Sequence, residues 1–441
     1  MTQARHTPAR RADLRGVAGH PLLLWCAFAL SQLWLSYLNV YPYLYGLGDV
    51  TSVYRHWAEQ GLNAGTWVGI DEAWVYPIGA LVPIASAAFF GLSSYASTWL
   101  SLIMVLNAIA FAVLVHGAQR RVVLAWWWIA FLVLLGPIAL GRIDAVTVPL
   151  AIIGILLLSR RPAAAAALLS VATWIKVWPA AIIAAIVLVS RRRLTVLVIG
   201  AVTSAVIIAI ALLLGSGANV VSFIGQQTGR GMQIEAPASS IWMWQAFAGV
   251  PGATVYYDLD ILTYQVTGSG VDVAAAVMTP VMAVAVAVVA ALGWLARRRG
   301  AAELDVLAPL ALALVTALIA FNKVGSPQFI SWLSVPVLLG LATQAATTRW
   351  SFRVPAAGVL VIAWLTQLVY PVFYDRVLGL DPFALTILSL RNLLLFVLLG
   401  WAVVTLVRLA RTPTTTGTPT TPGEPTTSGA SRPRVTHQHE E

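Results

Sequence analysis

The sequence predicts an all-α polytopic membrane protein of about twelve transmembrane helices. Three observations carry that prediction. Of the 441 residues, 59% are hydrophobic and only 10% charged, whereas a soluble domain carries about 25% charge. Mean hydropathy is +0.83. The apolar residues also fall in runs close to the ~20 residues that a helix needs to cross a bilayer. These features exclude a single soluble domain, a nucleic-acid reader and a disordered scaffold, so the net charge of +10 argues for no nucleic-acid partner. A single cysteine, Cys26, excludes disulfides within the chain and a cysteine metal cluster.

Taken in order, residues 1–20 carry Arg5, Arg10, Arg11 and Arg15 and read as a cytoplasmic N-terminal segment. The run 21–39 resembles a signal peptide, but it is too long and lacks a small-residue cleavage site, so it is expected to stay as the first span. Further spans are expected at 95–117, 122–140, 144–159, 194–215, 272–295, 304–321, 328–346, 354–371 and 384–407. Trp126, Trp127 and Trp128 read as an interfacial belt. Residues 412–441, rich in Thr, Pro and Gly, are expected to be a disordered cytoplasmic tail.

Two segments admit two readings, and the positive-inside rule separates them. With 76–92 lying in the outer interface and 162–189 forming a hairpin of two short spans, twenty of the 27 basic residues fall inside and seven outside. With 76–92 spanning and 162–189 a single helix, the split is seventeen to nine and Lys176 is left near mid-bilayer, a costly position. The first threading is preferred. It puts both termini in the cytoplasm and two long loops, 40–94 and 216–271, outside, with short outer turns at 141–144, 175–179 and 322–328. Eleven of the seventeen acids and both lysines of the chain, Lys176 and Lys323, then gather on the outer face.

Candidate functional residues follow from that gathering. After Asp49, the apolar residues Val53, Tyr54, Trp57, Ala58 and Leu62 recur at helical spacing, so an amphipathic interfacial helix is expected with Asp49 as its N-cap. A carboxylate fixed at the membrane surface also suits a general base. Arg142 and Asp144 share one turn, where Asp144 can cap the next helix and pair with Arg142. Lys176 stands between Trp174 and Trp178, where it can snorkel or bind a lipid phosphate. Arg230, Gln233 and Glu235 supply hydrogen-bonding groups to a loop bent by Gly229, Gly231 and Pro237. In Lys323–Trp332, Pro327 starts a helix, and Ser326 and Gln328 are expected to face outward. The six histidines are scattered, and no HExxH, Walker or GxGxxG motif occurs.

These motifs, in this order, resemble the GT-C superfamily of polytopic glycosyltransferases, and within it glycosyltransferase family 87, the polyprenol-phosphate-mannose-dependent mannosyltransferases of actinobacteria. The resemblance rests on Asp49-x4-Tyr54-x2-Trp57, Tyr76-Pro77, Lys176-Val177-Trp178-Pro179, Arg230–Glu235 and Lys323–Phe329, between residues 49 and 332. Ile78 departs from the pattern, where a second proline is common. What the resemblance implies is a GT-C catalytic domain over 21–411, with interfacial helices in its first outer loop. The reaction implied is inverting transfer of mannose, with an α-1,2 linkage in the product. The donor would be polyprenyl-phosphate mannose and the acceptor a lipid-anchored mannoside of the phosphatidylinositol mannoside or lipomannan kind, at the outer face of the plasma membrane. Asp49 would be the base, with Lys176, Lys323 and Arg142 on the donor phosphate. Tyr54, Trp57, Arg230, Gln233, Glu235, Ser326 and Gln328 would line the sugar and acceptor path. Glycoside hydrolases pair two carboxylates, but a phosphate leaves as a stable anion and one base suffices. No cofactor and no metal are expected, and the chain is expected to act as a monomer among membrane lipids. The competing readings are a transferase of another lipid-linked sugar, a flippase for a lipid-linked glycan, and a non-catalytic assembly subunit.

Overall fold

The computed structural model describes residues 18–411, apart from 42, 43, 45, 117–121, 227, 228 and 348. Most of the N-terminal segment, the Arg120–Arg121 pair and the tail from 412 onward lie outside the described residues. Among the described residues, nine helices are long and apolar enough to cross a membrane. They are α1 (Pro21–Val40), α2 (Leu92–Val115), α3 (Val122–Ala139), α7 (Arg193–Leu213), α8 (Val271–Arg298), α9 (Glu303–Ala320), α10 (Pro327–Ala346), α11 (Arg353–Val372) and α12 (Pro382–Arg411). Three shorter apolar helices complete the set: α4 (Asp144–Leu157), α5 (Pro162–Ile175) and α6 (Ala180–Val189). Helices dominate because a bilayer offers no water to satisfy backbone N–H and C=O groups, so each segment must bond to itself.

The break in 162–189 has a local cause. Lys176 is extended (φ −152°, ψ 134°), and Pro179 stands at the N-cap of α6, so the chain turns between two helices. Segment 76–92 forms only a 3-10 turn, Ile78–Ala80, and the short helix Leu81–Ser86, neither long enough to cross.

α4, α9 and α10 make the interior. α4 packs on α2, α5 and α10, and α9 on α6, α8, α10 and α12. Almost every side chain of α9 is enclosed by protein, whereas α7 and α8 present most of theirs outward. On α7, Leu194, Val198, Val202 and Val206 share one exposed stripe at four-residue spacing, the pattern of a lipid-facing helix side. The short helices also matter for depth. At 1.5 Å per residue, α4 and α5 are each about 21 Å long and α6 about 15 Å, against a hydrocarbon core of about 30 Å.

Two expectations are corrected here. Gly48, not Asp49, occupies the cap position, with no side-chain capping bond. Asp49 opens a wide-turned π-helical segment, Asp49–Tyr54, that leads into the helix Arg55–Ala64. Trp127 and Trp128 are buried rather than at an interface. The Trp127 indole donates to Ala356 O on α11 at 3.1 Å, and Trp128 stacks near Phe28 and Phe111. The all-α polytopic architecture holds, but the second long loop carries an unforeseen antiparallel hairpin, β1 (Thr254–Asp258) and β2 (Thr263–Thr267), pairing Thr254 with Thr267 and Asp258 with Thr263. Segment 232–234 lies along its edge, with Val266 N donating to Met232 O and Ile234 N to Tyr264 O.

Candidate active site

Asp49 and Arg142 meet because two tight turns approach each other. A Cβ at Gly141 would lie 2.2 Å from Gly46 O, so only glycine lets the α3–α4 turn sit against the turn after α1. Arg142 reaches into that junction. Its Nε is 3.0 Å from Asp49 Oδ2. Nη1 donates to Gly46 O and Gly141 O at 2.8 Å, and Nη2 to the Tyr370 hydroxyl at 3.0 Å. Burial opposes the charged guanidinium, but Asp49, Tyr370 and Tyr54 outweigh it and hold Arg142 well above its ordinary pKa. Among the described residues Arg142 is the charged partner of Asp49, whose side chain stays 39% exposed against 8% for the arginine. The result is an accessible carboxylate on a buried, rigid cation. The expected pairing of Asp144 with Arg142 is corrected, since the arginine holds Asp49. Asp144 instead accepts from Trp332 Nε1 at 2.6 Å and lies 3.9 Å from Lys176 Nζ, with no capping bond to its own helix.

A second group of cations converges beside this pair. Lys176 Nζ sits 4.5 Å from the Tyr76 ring centroid and 5.8 Å from that of Phe329, the geometry of a cation over aromatic faces. Arg230 lies within electrostatic reach of Tyr76 and Asp258. Burial lowers the pKa of the Lys323 ammonium, and nearby Arg230 pushes it the same way. Burial lowers Arg230 as well, and among the described residues its buried Nε has no hydrogen-bond partner. Positive charges that oppose one another in a partly buried place favour an anion.

The loop that carries Arg230 is braced to the Lys323 turn through Gln233. The Gln233 amide donates to Lys323 O at 3.0 Å, and its side-chain oxygen accepts from Gly325 N at 3.0 Å and from the Ser326 hydroxyl at 3.5 Å. A Cβ at Gly325 would come 2.0 Å from Ala236 N, so the two strands of backbone cross in direct contact. Gln233 is therefore a strut that sets the spacing of Arg230 and Lys323.

More than half of the chain, residues 74–321, matches the family model of glycosyltransferase family 87. The chain belongs to glycosyltransferase family 87. No curated protein and no solved structure matches it. The match takes in Tyr76, Arg142, Asp144, Lys176, Arg230, Gln233 and Glu235, and stops two residues short of Lys323. This glycosyltransferase is a membrane protein.

Asp49 pairs with Arg142, Trp57, Lys176 and Arg230 gather at Tyr76, and Lys323 and Ser326 join them through Arg230 and Gln233, whereas three other candidates are packed inside. Tyr54 is wholly buried: its oxygen accepts from Ile143 N at 3.2 Å, so it is a post beneath the Arg142 turn. Gln328 is 7% exposed and does not face outward. Glu235 is 1% exposed, and its carbonyl accepts from Arg391 Nη2 at 2.9 Å. Its carboxylate oxygen stays 3.9 Å from that nitrogen, too far for a hydrogen bond, and burial pushes the Glu235 carboxyl up to about 7.

Sequence reasoning missed Arg391, which it only counted among the outer cations and which sits inside α12, 2% exposed. An arginine within an apolar run was the available signal. It also missed Tyr370, Tyr374, Tyr257 and Tyr264, whose rings form a continuous wall from the Arg142 contact to the hairpin. Alternating β-branched and aromatic residues in 254–258 and 263–267 marked that hairpin.

Proposed function

We propose that this glycosyltransferase moves mannose from polyprenyl-phosphate mannose to a hydroxyl of a lipid-anchored mannoside, with inversion from β to α. The observation that carries the reading is an exposed carboxylate, Asp49, locked on buried Arg142, beside a cleft where Lys176, Arg230 and Lys323 crowd positive charge around Tyr76. Asp49 takes the proton of the acceptor hydroxyl as its oxygen forms a bond to the anomeric carbon. The bond from that carbon to the phosphate oxygen breaks, and its electron pair leaves with polyprenyl phosphate. Charge that grows on the phosphate in the transition state is met by fixed cations, which is where electrostatic stabilisation acts most strongly. Arg230 joins the lysines on the phosphate, and Arg142 becomes the residue that positions the base. Trp57 and Ser326 border the sugar path.

The same reading takes all twelve apolar helices as spans of a GT-C fold in the plasma membrane, with the site outside and both termini inside. The short helices α4, α5 and α6 support it, since helices shorter than the hydrocarbon core would set the Arg142 and Lys176 turns below the membrane surface. The acceptor is a phosphatidylinositol mannoside or a lipomannan-like glycolipid, the linkage is α-1,2, and the monomer acts without a metal.

The test is transfer of radiolabelled mannose from purified polyprenyl-phosphate mannose to a glycolipid acceptor in detergent, with polyprenyl-phosphate glucose as the competing donor. Labelled glycolipid should form from the mannose donor, and Asp49→Asn should lower turnover by about 100-fold or more while leaving donor binding intact. Movement of the donor across vesicles without transfer, or preference for the glucose donor, would overturn the reading.

A further inference from the structure

The end of the bundle opposite Asp49 holds a second polar feature that transfer does not use. α10 starts just after the Lys323 turn and runs 20 residues away from it, about 30 Å at 1.5 Å per residue. At its far end the connection into α11 meets the last turns of α12, and between them opens a cleft of about 610 Å³. Arg349, Trp350, Ser351, Trp401, Arg408 and Arg411 are among its lining residues.

Its walls are fixed and its rim is cationic. The Trp350 indole donates to Asp305 O at 2.6 Å. Phe352 packs edge-on against both Trp350 and Trp401, with ring centroids 4.9 and 5.3 Å away. A Cβ at Gly340 would come 2.2 Å from the Phe352 ring, so this aromatic floor has no room to shift. Arg349, Arg408 and Arg411 are exposed around it, and Arg299 adds a fourth guanidinium by donating to Ala410 O at 3.2 Å. The nearby acids are engaged, the Asp305 carboxylate with the Thr347 hydroxyl and Glu303 with Arg191 N.

Two apolar tracks lead away from this rim. Val354 and Val361 on α11, and Val404 and Val397 on α12, are all exposed. Each pair is spaced by seven residues, so it lies on one helix face, and α11 packs on α12.

We propose that this cleft binds the phosphate headgroup of an anionic phospholipid, whose acyl chains lie along the Val354–Val361 and Val404–Val397 faces. Arginines pair bidentately with phosphate oxygens, indoles settle at headgroup depth, and the valine tracks select a lipid over a free anion. On the topology proposed above, the lipid belongs to the inner leaflet, where basic pockets between helices hold anionic headgroups.

The test uses the full chain in mild detergent, with native mass spectrometry following titration by dioctanoyl phosphatidylglycerol, dioctanoyl phosphatidylcholine or inorganic phosphate. Phosphatidylglycerol should bind at least about tenfold more tightly than phosphatidylcholine, and millimolar inorganic phosphate should fail to displace it. The triple variant Arg349→Gln, Arg408→Gln, Arg411→Gln should lose the preference, while Arg160→Gln with Arg161→Gln, exposed elsewhere, should keep it. Should the triple variant aggregate, Arg411→Gln alone should weaken phosphatidylglycerol about threefold. A preference that survives loss of the cleft arginines, an equal loss in the Arg160/Arg161 variant, or displacement by inorganic phosphate would each overturn the proposal.

Discussion

Replacing Arg142 by lysine keeps the positive charge and removes the planar fork. Arginine here serves Asp49, the carbonyls of Gly46 and Gly141, and the Tyr370 hydroxyl at once, all within 3.0 Å. One ammonium cannot point its donors along all of these directions. At least one buried acceptor is left unpaired, which costs about 1–3 kcal/mol. Arg142→Ala also leaves the carbonyls of Gly46 and Gly141 without this donor and should destabilise more than the lysine variant, while Asp49, being part-exposed, keeps its hydration.

The effect on turnover follows from the loosened carboxylate. A misplacement of about 1 Å in a reacting group costs about 100-fold, so Arg142→Lys should lower kcat by about 10- to 100-fold. Donor KM should change little, because Lys176, Arg230 and Lys323 are untouched. Steady-state transfer assays report both numbers, and thermal unfolding in detergent ranks the stability losses. The decisive measurement is the double variant with Asp49→Asn. If Arg142 acts through Asp49, Arg142→Lys should have almost no further effect on kcat in that background. An undiminished loss there would refute the reasoning, as would a raised donor KM with unchanged kcat, which would return Arg142 to the phosphate.

Three further predictions bear on the same cleft. Lys176→Ala, Arg230→Ala and Lys323→Ala should each lower kcat/KM for the donor by about 10- to 100-fold, the worth of a charge-assisted hydrogen bond. A change confined to acceptor KM would contradict the phosphate assignment. Glu235 titrates near 7 in the folded chain because burial disfavours its charge. Between about pH 4.5 and 7 the unfolded chain has already released this proton, so Glu235 makes stability fall as pH rises, by roughly 3 kcal/mol across the window. Glu235→Gln should flatten that slope in thermal unfolding against pH, and a slope of the opposite sign would show a Glu235 that is ionised when folded. Finally, chelator treatment should leave transfer unchanged, because fixed cations rather than a bound metal meet the leaving phosphate; a large loss restored by a divalent ion would reverse that assignment.

Much of the site was legible in the sequence as a roster of residues. Asp49, Arg142, Lys176, Arg230 and Lys323 stand out because charge is costly in a chain this apolar, and each falls at a helix end or a turn. Their partners were not legible. Arg142 has Asp144 two residues away but holds Asp49 from the far side of α2 and α3. Asp144 accepts a hydrogen bond from Trp332, 188 residues along the chain. Glu235 meets Arg391, 156 residues along the chain. Tyr54 and Trp57 looked alike as interfacial aromatics, yet Tyr54 is sealed beneath the Arg142 turn.

The sequence by itself determined that the chain crosses a membrane in helices, where those helices lie, that Pro179 and its neighbours interrupt 162–189, and which scarce polar residues are available for chemistry. Hydropathy is a local sum along the chain, so apolar runs and their breaks can be read without knowing what packs on what. Only the tertiary structure decided which carboxylate is exposed and which is buried, that Arg142 braces Asp49, and that Arg230 rather than Arg142 stands with the lysines. Those outcomes depend on the close backbone approaches at Gly141 and Gly325 and on how α4, α5 and α6 fall short of their neighbours. Contacts of that kind join residues far apart in sequence, and no periodicity within a helix encodes them.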